Sequence, residues 1–112
     1  MSEIPKKIKR LLRDQAALAH EEELRRALAP LAVAFEEWKE GKVSSDTIND
    51  MIHEFHQGPH RDLYLRYSSK MLESNIAHAI VKGILNKEKV PQELLDHLAR
   101  LIKYYEEDIK SN

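Results

Sequence analysis

The chain has 112 residues, 18 basic and 19 acidic side chains, a formal net charge of −1 and no cysteine. That length holds one domain with a modest core, and the charge balance supplies no global field for DNA or an anionic membrane. Lack of cysteine removes disulfides, thiolate catalysis and Cys-ligated zinc, while Leu, Ala, Glu and Lys dominate and favour helix over strand.

The N-terminus is charged and then amphipathic, without the apolar run of a secretory signal. The longest uncharged apolar stretch, Leu28 to Phe35, is too short to span a bilayer and contains Pro30. The expected location is therefore the cytoplasm, with no membrane span.

Along the first segment Ile4, Ile8, Leu11 and Leu18 recur at steps of three and four, with Gln15 in the missing slot. The stripe resumes as Leu24, Leu28, Leu31, Phe35 and Trp38, which is again the helical period. One helix from Pro5 to Glu40 would run about 54 Å at about 1.5 Å per residue, against a radius of gyration of about 13 Å for a compact domain of this size. Pro30 lacks a donor and disfavours helical geometry before it, which predicts a kink or break there. The stripe also changes phase across His20 to Glu23, a second expected bend.

Gly41 predicts a left-handed helix stop. Ser44 or Ser45 caps the next helix, which carries Ile48, Met51, Ile52 and Phe55 inward, with Asp46 at its positive end. Gly58-Pro59 ends it and starts a short helix with Leu63, Tyr64 and Tyr67. Ser68 or Ser69 opens a segment with Leu72, Ile76, Ala79, Ile80 and Ile84, which Asn86 stops. Pro91 leads into a last helix burying Leu94, Leu95, Leu98, Leu101, Ile102, Tyr105 and Ile109. The fold expected is all-α: one domain over residues 1–112, an irregular bundle of about five helices with a long, kinked N-terminal region. Residues 1–4 and 110–112 are expected to fray.

The densest group of chemically active side chains is His53-Glu54-Phe55-His56-Gln57-Gly58-Pro59-His60-Arg61-Asp62. His53, His56 and His60 with Glu54 or Asp62 form a chemically reasonable zinc or iron set. The spacing lacks the four-residue His separation of a zincin helix, so a histidine-rich helix end explains it as well. His20 falls on the apolar stripe and needs a partner for its ring nitrogens, which Glu23 or a carboxylate of another helix could supply. A metal or acid–base site inside the bundle is the sharper reading of His20, and a structural histidine the plainer one. Arg61 and Arg66 could bind an anion near a helix start, or pair with Glu54 and Asp62 at the surface.

Lys6, Lys7, Lys9, Arg10 and Arg13 surround Ile8, Leu11 and Leu12, the pattern of a basic amphipathic helix. No aromatic residues interleave the lysines, and nothing has the form of a recognition helix, so nucleic acid is not the expected partner. The glycines stand singly, and no Gly-rich phosphate loop or Gly-x-Ser-x-Gly is present.

These features point to a non-enzymatic helical interaction or oligomerisation module, pairing with itself or another protein, with no cofactor. The N-terminal helix is too long to bury both stripes in one small domain, and Ile8, Leu11, Leu18, Phe35 and Trp38 are the expected contact residues. The competing expectation is a metal-binding protein or metal-dependent enzyme using His53, Glu54, His56, His60 and His20. A third, a nucleic-acid accessory protein, rests on the basic block alone.

Overall fold

The structure is a computed structural model that describes residues 4–111. It is all-helical, and no strand occurs among the described residues. In chain order the elements are α1 (Lys6–Lys39), α2 (Ser45–Phe55), a π turn (His56–His60), α3 (Arg61–Ser68), α4 (Leu72–Val81), a 3-10 turn (Lys87–Lys89), α5 (Gln92–His97) and α6 (Ala99–Ser111). No helix among the described residues is long and apolar enough to cross a membrane. Of the termini expected to fray, residues 1–3 and 112 lie outside the described residues. Ile4 packs on the core, and Lys110 and Ser111 continue α6.

Helix α1 is unbroken over 34 residues and carries Pro30 inside it. The helix runs without a break through both Pro30 and the stretch from His20 to Glu23. Proline removes one hydrogen bond, and the neighbouring turns together with packing against α2 keep the rod helical. The molecule is accordingly elongated, with principal extents of 56 × 30 × 23 Å and a radius of gyration of 17.5 Å.

The first half of α1 forms the spine of the core. Ile8, Leu12, Ala16 and Ala19 pack with Ile76, Ala77, Ala79, Ile80, Leu85, Val90, Leu94, Leu98 and Ile102 from the chain's second half. The alanines let the helices approach closely, because a methyl group is all that separates the backbones. This buried face is rotated from the one expected: Leu18 is 57% exposed while Ala16 and Ala19 are inside. Leu11 is half-buried against the core, and Gln15 is buried on the same face. The early stripe is therefore not surplus, because Ile8 and Leu11 belong to the chain's own core.

The second half of α1 has a thinner partner layer. Ala34 and Ile48 are buried between α1 and α2, outside the main cluster. Gly41 (φ 77°) reverses the chain, with Lys42 N donating to Glu37 O at 2.9 Å. Ser44 then caps α2 by accepting from Thr47 N at 3.1 Å, as its side chain predicts.

Several boundaries differ from expectation, among them the start of α4 at Leu72 rather than just after Ser68 or Ser69. Gly58-Pro59 does not end the helix, since the backbone widens into the π turn and runs on into α3. An inserted residue suits a proline that cannot make the ordinary four-residue bond. Helix α4 stops at Gly83 (φ 78°), where Ile84 N reaches Ala79 O, and Asn86 instead caps the 3-10 turn. The last helix bends at Leu98 (φ −94°, ψ 5°), dividing α5 from α6 around that fully buried side chain.

Candidate functional site

Helices α1 and α3 meet through a polar tie. Arg66 Nη1 donates to both Glu23 oxygens at 3.0 Å, and the Tyr67 hydroxyl donates to Glu23 Oε2 at 2.5 Å. The Glu23 side chain is only 18% exposed. Partial burial opposes the Arg66 charge, but the attraction and hydrogen bond of Glu23 outweigh it and raise its pKa. Burial first, and then the hydrogen bond and charge of Glu23, push the Tyr67 phenol well above its ordinary value. Tyr67 is thus fixed as a neutral donor, which makes it a poor base.

His20 is half-buried and meets the Tyr67 ring edge-on, with centroids 6.4 Å apart. Glu23, expected as its partner, is given to Arg66 and Tyr67 instead. Beside His20 lies an open groove of about 290 Å³ lined by residues that include Arg13, Ala16, Tyr64 and Leu72. Sequence reasoning placed Glu23 at the stripe's edge and did not connect it to Arg66 and Tyr67. The signal is weak, because the two sides lie more than forty residues apart.

The histidines gather only in part. His56 and His60 stack, with ring centroids 5.2 Å apart and planes 15° from parallel, and His60 also leans on Phe55 at 6.3 Å. His53 is exposed on α2. Glu54 lines a different groove, with Ala27, Pro30, Met51 and Phe55. Asp62 lines a third, with Glu23 and Arg66, and His20 lies against Tyr67. Among the described residues no group of three or more His, Asp or Glu is placed to hold a metal ion.

What surrounds the stacked pair is a pocket of about 490 Å³ lined by His56, Gln57, His60, Arg61 and Tyr64. No carboxylate lines it, and among the described residues Arg61 makes no ion pair. The two arginines therefore part company: Arg66 is paired with Glu23, and Arg61 has no carboxylate partner among the described residues. The run His56, His60, Tyr64 at four-residue steps was visible in the sequence, as was Gln57 four before Arg61.

At the far end of α1, Leu28, Phe35 and Trp38 are exposed, and Leu24 and Leu31 are half-buried. Phe35 and Trp38 meet edge to face at 6.2 Å, and Trp38 Nε1 donates to Ser45 Oγ at 2.9 Å. Ile52, seven residues beyond Ser45 and so on the same side of α2, is 44% exposed. Glu21 and Arg25, and Glu36 and Lys39, form pairs along one flank of this strip at 4.0 and 3.3 Å. In the basic block, Lys7 bridges Glu93 of α5 at 3.0 Å, and Arg13 lines the His20 groove.

No known protein family, curated protein or solved structure matches this chain.

Proposed function

We propose that the chain is a non-enzymatic interaction module whose α1 pairs, antiparallel, with α1 of a second copy. The observation that carries this reading is the strip Leu24, Leu28, Leu31, Phe35 and Trp38, spaced four and three, with Leu28, Phe35 and Trp38 exposed and Leu24 and Leu31 half-buried. That spacing is the seam of a coiled coil, and a seam is made for another helix. The α2 helix packs beside Ala27, Pro30 and one edge of Leu31, and leaves Leu28, Phe35 and Trp38 exposed.

Charge favours a second copy in antiparallel orientation. A two-fold axis level with Ala29 and Pro30 sets Leu28 against Leu31 of the second copy, and Leu24 against its Phe35. The same axis sets Glu21 beside Lys39 of the second copy and Arg25 beside its Glu36, opposite signs on one flank. Parallel pairing would put these residues on opposite flanks and lose both opposite-sign contacts. An isologous contact of this kind closes on itself and stops at a dimer.

Sedimentation velocity at micromolar concentration tests this. The expected species is a dimer that Phe35→Glu converts to monomer, with the helical circular dichroism unchanged. Glu21→Lys is expected to weaken the dimer, and adding Lys39→Glu to restore it. A strictly monomeric wild-type protein overturns the reading, as does a dimer indifferent to Phe35→Glu.

A further inference from the structure

We propose that the pocket of His56, Gln57, His60, Arg61 and Tyr64 binds a tetrahedral oxyanion of the phosphate or sulfate class. The site is independent of the pairing seam. Its lining is rich in hydrogen-bond donors: a guanidinium, a side-chain amide, a phenol and two imidazoles. Arg61 presents a planar fork of donors suited to two oxygens of one anion. The lining comes from one stretch of the chain, with His56 and His60 both in the π turn and their rings stacked.

The same geometry argues against a cation. A metal ion on the stacked imidazoles would sit beside the Arg61 charge with no carboxylate in the lining to offset it. An anion meets the opposite conditions. Two protonated imidazoles 5.2 Å apart repel each other, and an oxyanion held by both relieves that repulsion.

The charged groups on the packed elements are arranged consistently with this. On α2, Glu54 faces the groove toward Pro30 and Phe55. On α3, Asp62 faces a groove shared with Glu23, Arg26 and Arg66. On α1, Glu23 is bound to Arg66 and Tyr67, and Glu22 pairs with Arg26 at 2.7 Å. None of these carboxylates lines the pocket.

Sulfate is the cleaner probe, because its charge is constant where histidine titrates, around a pH of about 6.5. Binding to the full chain is read from the His56 and His60 ring resonances as sodium sulfate is added at constant ionic strength, with chloride as control. Saturable binding is expected at about pH 6, weakening roughly tenfold by about pH 8 as the imidazoles lose their protons. Arg61→Ala should weaken binding at least roughly tenfold, whereas Arg100→Ala on distant α6 leaves it unchanged. His56→Gln should flatten the pH dependence. Inorganic phosphate and phenyl phosphate, titrated in parallel, distinguish a free ion from a phosphomonoester. Resonances unmoved by sulfate overturn the proposal, as does binding lost equally in Arg61→Ala and Arg100→Ala. Tight zinc binding in place of sulfate binding overturns it in favour of a cation site.

Discussion

Tyr67 on α3 donates its hydroxyl to Glu23 on α1 at 2.5 Å, joining two helices that are far apart in sequence. The bond matters because α3 has eight residues and buries only Leu63. A helix that short does not hold itself together in water, so its position depends on what it is tied to. Arg66 adds a second tie to the same carboxylate. The groove beside His20 and the orientation of the Arg61 pocket both depend on where this junction holds α3.

Removing the carboxylate should therefore loosen α3. Glu23→Ala is expected to destabilise the protein by about 1–2 kcal/mol, below the about 3–5 of a fully buried pair, because Arg66 is 43% exposed. Urea unfolding measures this, and no change would mean that the tie contributes nothing. The pH dependence has a definite sign. The folded-state pKa of Tyr67 is raised above its ordinary 10.0. The corresponding stability is fully present below about pH 10 and is lost as pH rises further, when the unfolded chain ionises and the folded one resists. Tyr67→Phe should make that alkaline loss shallower than in the wild type. Parallel curves would refute the assignment.

Leu98 and Ile52 give a contrast within one protein. Leu98 is fully buried at the bend between α5 and α6, and Leu98→Ala should cost about 2–5 kcal/mol. Ile52 is 44% exposed, and Ile52→Ala in dilute protein should cost less than about 1 kcal/mol. Similar losses for the two would mean that the far end of the molecule is covered.

The helical class was legible because the period of three and four runs through most of the chain, and because Ser44 and Gly41 act where local chemistry puts them. Ile52 was not legible. Its stripe is sound, but how much of a stripe is covered depends on the partner layer, and α2 packs against a single helix in that region. Leu18 misled for a related reason: periodicity weighs large side chains, whereas Ala16 and Ala19 mark the true contact face. Around the histidines, sequence showed residue types but not the π turn. That turn carries both His56 and His60, whose rings stack, while His53 stays exposed on α2.

Pro30 supplies the last prediction, because the structure keeps it inside an unbroken helix. Proline has no N–H, so the Arg26 carbonyl lacks its usual donor and must turn to water. Alanine would restore that donor, and in a helix interior it is favoured over proline by about 3 kcal/mol. Two effects reduce the gain. Pro30 touches the groove lined by Met51 and Phe55, and its rigidity also restrains the unfolded chain, worth roughly 0.4–1 kcal/mol. Pro30→Ala should thus stabilise the protein by about 1–2 kcal/mol and raise its melting temperature. The opposite sign, a lower melting temperature, would show that packing of the proline ring against α2 outweighs the missing hydrogen bond, so that Pro30 positions α2 on α1.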